Sequence, residues 1–100
     1  MRIIFSEVAN ISYENIIEFL SETWTEKQIN MFIDEAEKVV GKLKDGKFKL
    51  YQKHSKDIRS ALIGKKHVRM FFRMENPHTI RVLLFFDMRQ DPQKIIDLLA

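Results

Sequence analysis

The chain has one hundred residues, no cysteine and a net charge of +3. These numbers exclude a disulfide scaffold and a thiolate metal site, and they allow one domain with a modest core. Hydrophobic residues make up 45% of the chain, which excludes wholesale disorder. No apolar run is long enough to span a membrane, and the N-terminus lacks the pattern of a secretory signal, so a cytoplasmic protein is expected.

Arg2–Phe5 is a short apolar run and reads as a strand. Ser6 stands where a helix N-cap belongs, with Glu7 in the first turn at the positive end of the helix dipole. Val8, Tyr13, Ile16, Ile17, Leu20 and Trp24 recur at helical spacing, opposite Glu14, Glu18 and Glu22. Thr25-Glu26-Lys27-Gln28 is a capping box, flanked by Trp24 and Ile29 as a hydrophobic staple. The first helix therefore stops near residues 21–23 and a second begins at once. Its apolar stripe is Ile29, Phe32, Ile33, Ala36, Val40 and Leu43, and Asp45-Gly46 ends it. So short a link predicts an antiparallel helical hairpin.

Lys47–Asp57 is polar and basic and reads as a loop anchored by Phe48, Leu50 and Tyr51. Three strands follow, over Ile58–Ile63, His67–Met74 and Thr79–Met88, the last two joined by an Asn76-Pro77 turn. Asp91 and Pro92 then suit the N-cap and first position of a short helix over Gln93–Leu99. The fold class expected is α+β: an antiparallel sheet in β-α-α-β-β-β order, packed on a helical hairpin, in a single domain. His54, His67 and His78 lack the spacing of a helical metal pair, and no metal or cofactor is expected.

Charge is sorted along the chain. Residues 1–45 carry five Lys/Arg against nine Asp/Glu, and residues 46–100 carry twelve against five. Strand alternation predicts where the basic residues go. Even-numbered strand residues are nearly all apolar and should face the helices. The odd-numbered set, with a three-residue loop at Gly64-Lys65-Lys66, places Arg59, Arg69, Arg73 and Arg81 around Phe71, Leu83 and Phe85. Arg73 should lie near Arg81. Facing arginines repel, so an anionic partner would relieve them, unless carboxylates such as Asp87, Asp91 and Asp57 or the helix glutamates already do.

These features resemble the RelE/ParE superfamily of toxins from type II toxin–antitoxin systems, closest to its ParE-like, plasmid-stabilisation branch. The resemblance covers nearly the whole chain. It is carried by the opening Met1–Ser6, by Trp24–Gln28, by Asp57-Ile58-Arg59, by the arginine strand His67–Arg73 and by the tail Phe85–Pro92. It implies the element order above and a cognate antitoxin. It also implies growth inhibition, by binding a replication target such as DNA gyrase, with ribosome-dependent mRNA cleavage as the alternative. Target or antitoxin contacts would fall on Arg69, Phe71, Arg73, Arg81, Phe85 and Arg89. The nuclease alternative would use Arg59, Arg73 and Arg81 to stabilise a phosphorane-like transition state. Members that cleave mRNA often place Tyr or His near the end of the last strand. This chain has Phe85-Phe86-Asp87-Met88 there, and Phe72 where the arginine strand often has Tyr. That leaves His54, Lys65, Lys66 and His67 as proton-transfer candidates. The oligomeric state stays open between a homodimer and a toxin–antitoxin assembly.

Overall fold

The computed structural model describes residues 1–64, 67–90, 93–94 and 97. Strand β1 (Arg2–Phe5) leads into α1 (Glu7–Ser21) and α2 (Glu26–Lys44). A 3-10 turn over Phe48–Leu50 precedes β2 (Gln52–Lys53), β3 (Ile58–Leu62), β4 (Val68–Asn76) and β5 (Thr79–Asp87). The strands form one mixed sheet in the order β1-β5-β4-β3-β2. The α+β class is as expected, with two corrections. The sheet is not wholly antiparallel, because β1 pairs in parallel with β5. The helices carry the chain from β1 at one edge of the sheet to β2 at the other, and β3, β4 and β5 then return toward β1. The basic loop also contributes a strand, since Gln52 and Lys53 pair with Ser60 and Arg59.

Both helix starts form as the sequence dictates. Ser6 Oγ accepts from Ala9 N–H at 3.0 Å. Thr25 and Gln28 exchange both hydrogen bonds of the capping box. The two helices bury residues at the same spacing: Ala9, Tyr13, Ile16 and Leu20 in α1, and Phe32, Ala36, Val39 and Leu43 in α2. Val8 is not part of that stripe. It is 41% exposed, and Ala9 turns inward in its place. The helices fold back on each other, with Tyr13 stacked on Phe32 at 6.3 Å and Trp24 edge-on to the same ring.

One sheet face packs on this hairpin through Ala61, Ile63, Val68, Met70, Phe72, Ile80, Val82 and Phe85. Phe72 is fully buried and meets Phe48 and Tyr51 edge-on. The opposite, outer face carries a smaller apolar cluster of Phe71, Leu84 and Phe86, with Leu83 against it. Gln93, Lys94 and Asp97 are helical. The expected caps Asp91 and Pro92, and the apolar residues Ile95, Ile96, Leu98 and Leu99, lie outside the described residues.

The expected faces change in β3 and β5, for separate reasons, and β4 has a further register shift between Met74 and Asn76. In β3 the register is one residue off expectation: Ala61 faces Met70 and Arg59 faces Phe72. Ile63 N–H donates to Val68 C=O at 2.9 Å, so the connection spans residues 64–67 rather than three. This puts Ile63 wholly inside and leaves Leu62 45% exposed. In β5 the register shifts between Phe71 and Phe72 of its partner. Phe72 faces Val82 and Phe71 faces Leu84, so Leu83 is the extra residue of a β-bulge.

Truncating the central ring tests this core. Phe72→Ala is expected to cost about 3–5 kcal/mol. Thr25→Ala, which removes only a cap, is expected to cost about 1 kcal/mol. Urea unfolding of the two variants should reproduce that order, and the reverse order would contradict the packing.

Candidate functional site

The two register changes decide which side chains share the outer face. Arg69, Phe71 and Arg73 lie there on β4, Arg81 lies there on β5, and Ser60 faces Phe71 from β3. Arg73 and Arg81 are direct cross-strand partners, as expected. Arg59 is not with them. Its guanidinium sits 5.2 Å from the Phe48 ring and donates to Tyr51 C=O at 2.8 Å, on the helix side of the sheet. Its Nε is buried without a hydrogen-bond partner. Phe85 is also on the helix side, 4.9 Å from Tyr13. The bulge at Leu83 reverses the alternation beyond it and carries Phe85 inward.

Arg89 stands apart as well. It donates twice to the Asp87 carboxylate, at 3.0 and 2.6 Å, beside a groove lined by Asn15, Ile16 and Phe19 of α1. The arginine hydrogen bonds hold the Asp87 carboxyl below the usual carboxylate range. Asp87 therefore answers Arg89, not the arginines of the outer face. Those have a carboxylate that sequence reasoning missed. Glu75 Oε1 accepts from Arg73 Nη2 at 3.0 Å and from Arg81 Nε at 2.6 Å. The hydrogen bond from Arg73, then that from Arg81, lowers the Glu75 pKa. Its spacing was the available signal: Glu75 is two residues from Arg73 on a strand, hence on the same face.

A second group of polar atoms lies further along this face. His54 follows β2, and its ring tilts over Phe71 at 5.2 Å. Its Nε2 is 2.6 Å from Ser60 Oγ, and Arg69 Nη1 donates to the same oxygen at 3.2 Å. Among the described contacts of Ser60 Oγ, only the His54 ring can accept a proton. The hydroxyl therefore donates to Nε2, and Nδ1 carries the imidazole proton. Ser60 is buried at 1% exposure, so leaving its hydroxyl unpaired would be costly. Burial, and then the charge of Arg69, push the His54 pKa down. His54 is thus the proton-transfer candidate that the fold brings to the arginines. Of the others, His67 is exposed beyond the start of β4, and Lys65 and Lys66 lie outside the described residues. Tyr51 is a loop anchor: burial raises its pKa, and its ring packs on Phe72.

Among the described residues, no group of three or more His, Asp or Glu could hold a metal ion. No helix among them is long and apolar enough to cross a membrane. The chain matches no family model and no curated protein.

The reassignment of Arg59 separates structural from surface arginines. Arg59→Ala should destabilise the fold by about 1.5–3 kcal/mol, the range for hydrogen bonds to a charged group. Arg73→Ala should cost no more than about 1 kcal/mol, as for an exposed ion pair. Chemical denaturation of both variants checks the difference, and equal costs would count against the inward placement of Arg59.

The histidine relay has its own signature. The folded chain binds fewer protons at His54 than the unfolded one as pH falls below about 6.5. Stability from this group is therefore present above that value and is lost as pH falls through the folded pKa. Ser60→Ala removes a donor to the neutral ring, and Arg69→Gln removes a nearby charge. Each should raise the His54 pKa in a proton NMR titration. An unchanged value in both variants would rule out the relay.

Proposed function

We propose that the chain is the toxin of a type II toxin–antitoxin pair with a RelE/ParE-like fold, and that it acts on RNA through its outer sheet face. What carries the mode of action is His54: exposed, neutral at neutral pH, and joined through Ser60 to Arg69. Cleavage at a ribose 2′-hydroxyl forms a bond from the 2′-oxygen to phosphorus and breaks the bond from phosphorus to the 5′-oxygen. It needs a group that takes the 2′ proton, a proton for the leaving 5′-oxygen, and cations that stabilise negative charge on the phosphoryl oxygens. Arginine cannot take the proton, because it does not deprotonate. Neutral imidazole can, but only at Nε2, the nitrogen that accepts from Ser60, so the 2′-hydroxyl must displace the Ser60 hydroxyl there. His54 is the proton-transfer group in this reading, Arg69 is the cation beside it, and Ser60 holds the ring until the strand binds. Arg59 drops out of the expected catalytic set, while Arg73 and Arg81 bind the strand further along. The cognate antitoxin would cover the same face with an acidic segment, and the element order and the sequence resemblance support such a pair.

A second reading, the binding of a replication target such as gyrase, is favoured by a different observation. Arg73, Arg81 and Arg89 each pair with a carboxylate, Glu75 or Asp87, as they would with carboxylates of a protein target, and a binding surface needs no proton-transfer group.

Induced expression without a partner protein separates the two, with pulse labelling of DNA, RNA and protein and with primer extension on abundant mRNAs. Protein synthesis should fall first and new mRNA ends should arise. His54→Ala should abolish both, although the variant is folded. Early loss of DNA synthesis without new ends would replace this reading with the second. Unimpaired growth would remove the toxin reading itself.

A further inference from the structure

We propose that Arg73 and Arg81 form a phosphate-binding site, distinct from the His54–Arg69 group, that Glu75 occupies as a built-in competitor until a phosphate displaces it. Applying this site to an RNA strand rests on the reading above; the phosphate chemistry does not.

The geometry starts with a repulsion. Arg73 and Arg81 are placed directly opposite each other across β4 and β5. Two like charges in that position destabilise a sheet unless an anion lies between them. Glu75 supplies the anion, but with only one of its oxygens. Oε1 accepts from both guanidinium groups, and Arg73 and Arg81 donate to no other described group. Each guanidinium carries five N–H donors in a planar fork. Most of those donors are therefore free to meet the oxygens of an incoming phosphate, which offers several acceptors where Glu75 uses one.

Glu75 is also the member of the trio that can leave. It sits where the β4–β5 register shifts, between Met74 and Asn76, at the end of the hairpin beside Pro77 and His78. Its side chain is 28% exposed, so water can reach the carboxylate on release. The arginines are anchored further inside their strands, flanked by the buried Phe72, Ile80 and Val82.

The site is separate from the histidine group. Arg69 and Arg73 are four residues apart on one strand, hence about 13 Å. That is too far for one phosphate, so the two groups would meet different phosphates of one strand. Such spacing gives Arg73 and Arg81 a positioning role for a strand whose reactive sugar lies at His54.

The test uses the full chain and a short fluorescein-labelled 2′-O-methyl oligoribonucleotide, whose blocked 2′-oxygen prevents cleavage. Fluorescence anisotropy should show Glu75→Gln binding about fivefold more tightly than wild type, the size of one exposed ion pair. On an Arg73→Gln/Arg81→Gln background the same change should have no effect. Asp45→Asn, an equal change of charge at the end of α2, should not reproduce the gain. The proposal is overturned if Glu75→Gln stays within about twofold of wild type, or if its gain survives loss of both arginines. Inorganic phosphate, followed by the Nε–H signals of Arg73 and Arg81 in Glu75→Gln, separates the site from its RNA use. Shifted signals without oligonucleotide binding would keep the phosphate site and remove the RNA reading. Unshifted signals with oligonucleotide binding would do the opposite. Competition by a glutamate-rich peptide but not by phosphate would overturn the proposal, because the pair would then be a carboxylate site for a protein partner.

Discussion

The bulge at Leu83 is the constraint on which the rest of the structure depends. Strand β5 lies between β1 and β4 and supplies inward residues on both sides of the bulge. Before it, Ile80 and Val82 face the helices; after it, Phe85 does. Without the extra residue, Leu84 and Phe86 would point inward and Phe85 would join the arginines. The backbone around the bulge is also held from outside the sheet. Ser6 donates its N–H to Val82 C=O at 2.9 Å and its hydroxyl to Leu83 C=O at 3.0 Å. Ser12 Oγ accepts from Phe85 N–H at 3.0 Å. The helix that caps itself on Ser6 therefore fixes the irregular strand from two of its own positions.

Strand β3 shows a different kind of choice. Its two faces are Ile58, Ser60 and Leu62 against Arg59, Ala61 and Ile63, so either register buries one polar residue. The even set holds two large apolar residues and the odd set one, and each contributes about 1.5–3 kcal/mol on burial. Apolar burial within the strand therefore does not select the observed register. The decision falls to the polar residues. Arg59 on the helix side lays its guanidinium along Phe48 and reaches the Tyr51 carbonyl, so its stem packs while its head is paired. Ser60 on the outer side meets both His54 and Arg69. The opposite register would remove Ser60 from both of those partners.

This is why the chain reads clearly at the level of elements and poorly at the level of faces. Caps and stripes are local, so Ser6, Thr25-Gln28 and the helix periodicities could be read directly. The Arg73–Arg81 pair was legible too, because it lies between the two register shifts, where residues pair one to one. Arg59 and Phe85 were misplaced because a single inserted residue, or a loop of four instead of three, exchanges two faces. His54 belonged to a segment with no periodicity at all. Its position follows from two residues of strand, Gln52 and Lys53, too few to signal themselves in a sequence. Glu75 answers the arginines for a simpler reason than Asp87, Asp91, Asp57 or the helix glutamates could: it stands two residues from Arg73 on the same strand.

The charges of the second half then sort into two kinds. Arg59 and Arg89 are committed to the fold or to a single neighbouring carboxylate. Arg69, Arg73 and Arg81 remain half-exposed on one face, held by partners that water or a ligand could replace. Exposed ion pairs contribute little to stability, typically below about 1 kcal/mol. The folded state therefore gains little from the ion pairs of Arg73 and Arg81, whereas His54 and Arg69 also serve the fold by pairing the buried Ser60 hydroxyl. A pair of arginines placed face to face for small structural return, on the same sheet face as a histidine whose proton affinity burial and then Arg69 reduce, is better explained by what it meets than by what it stabilises.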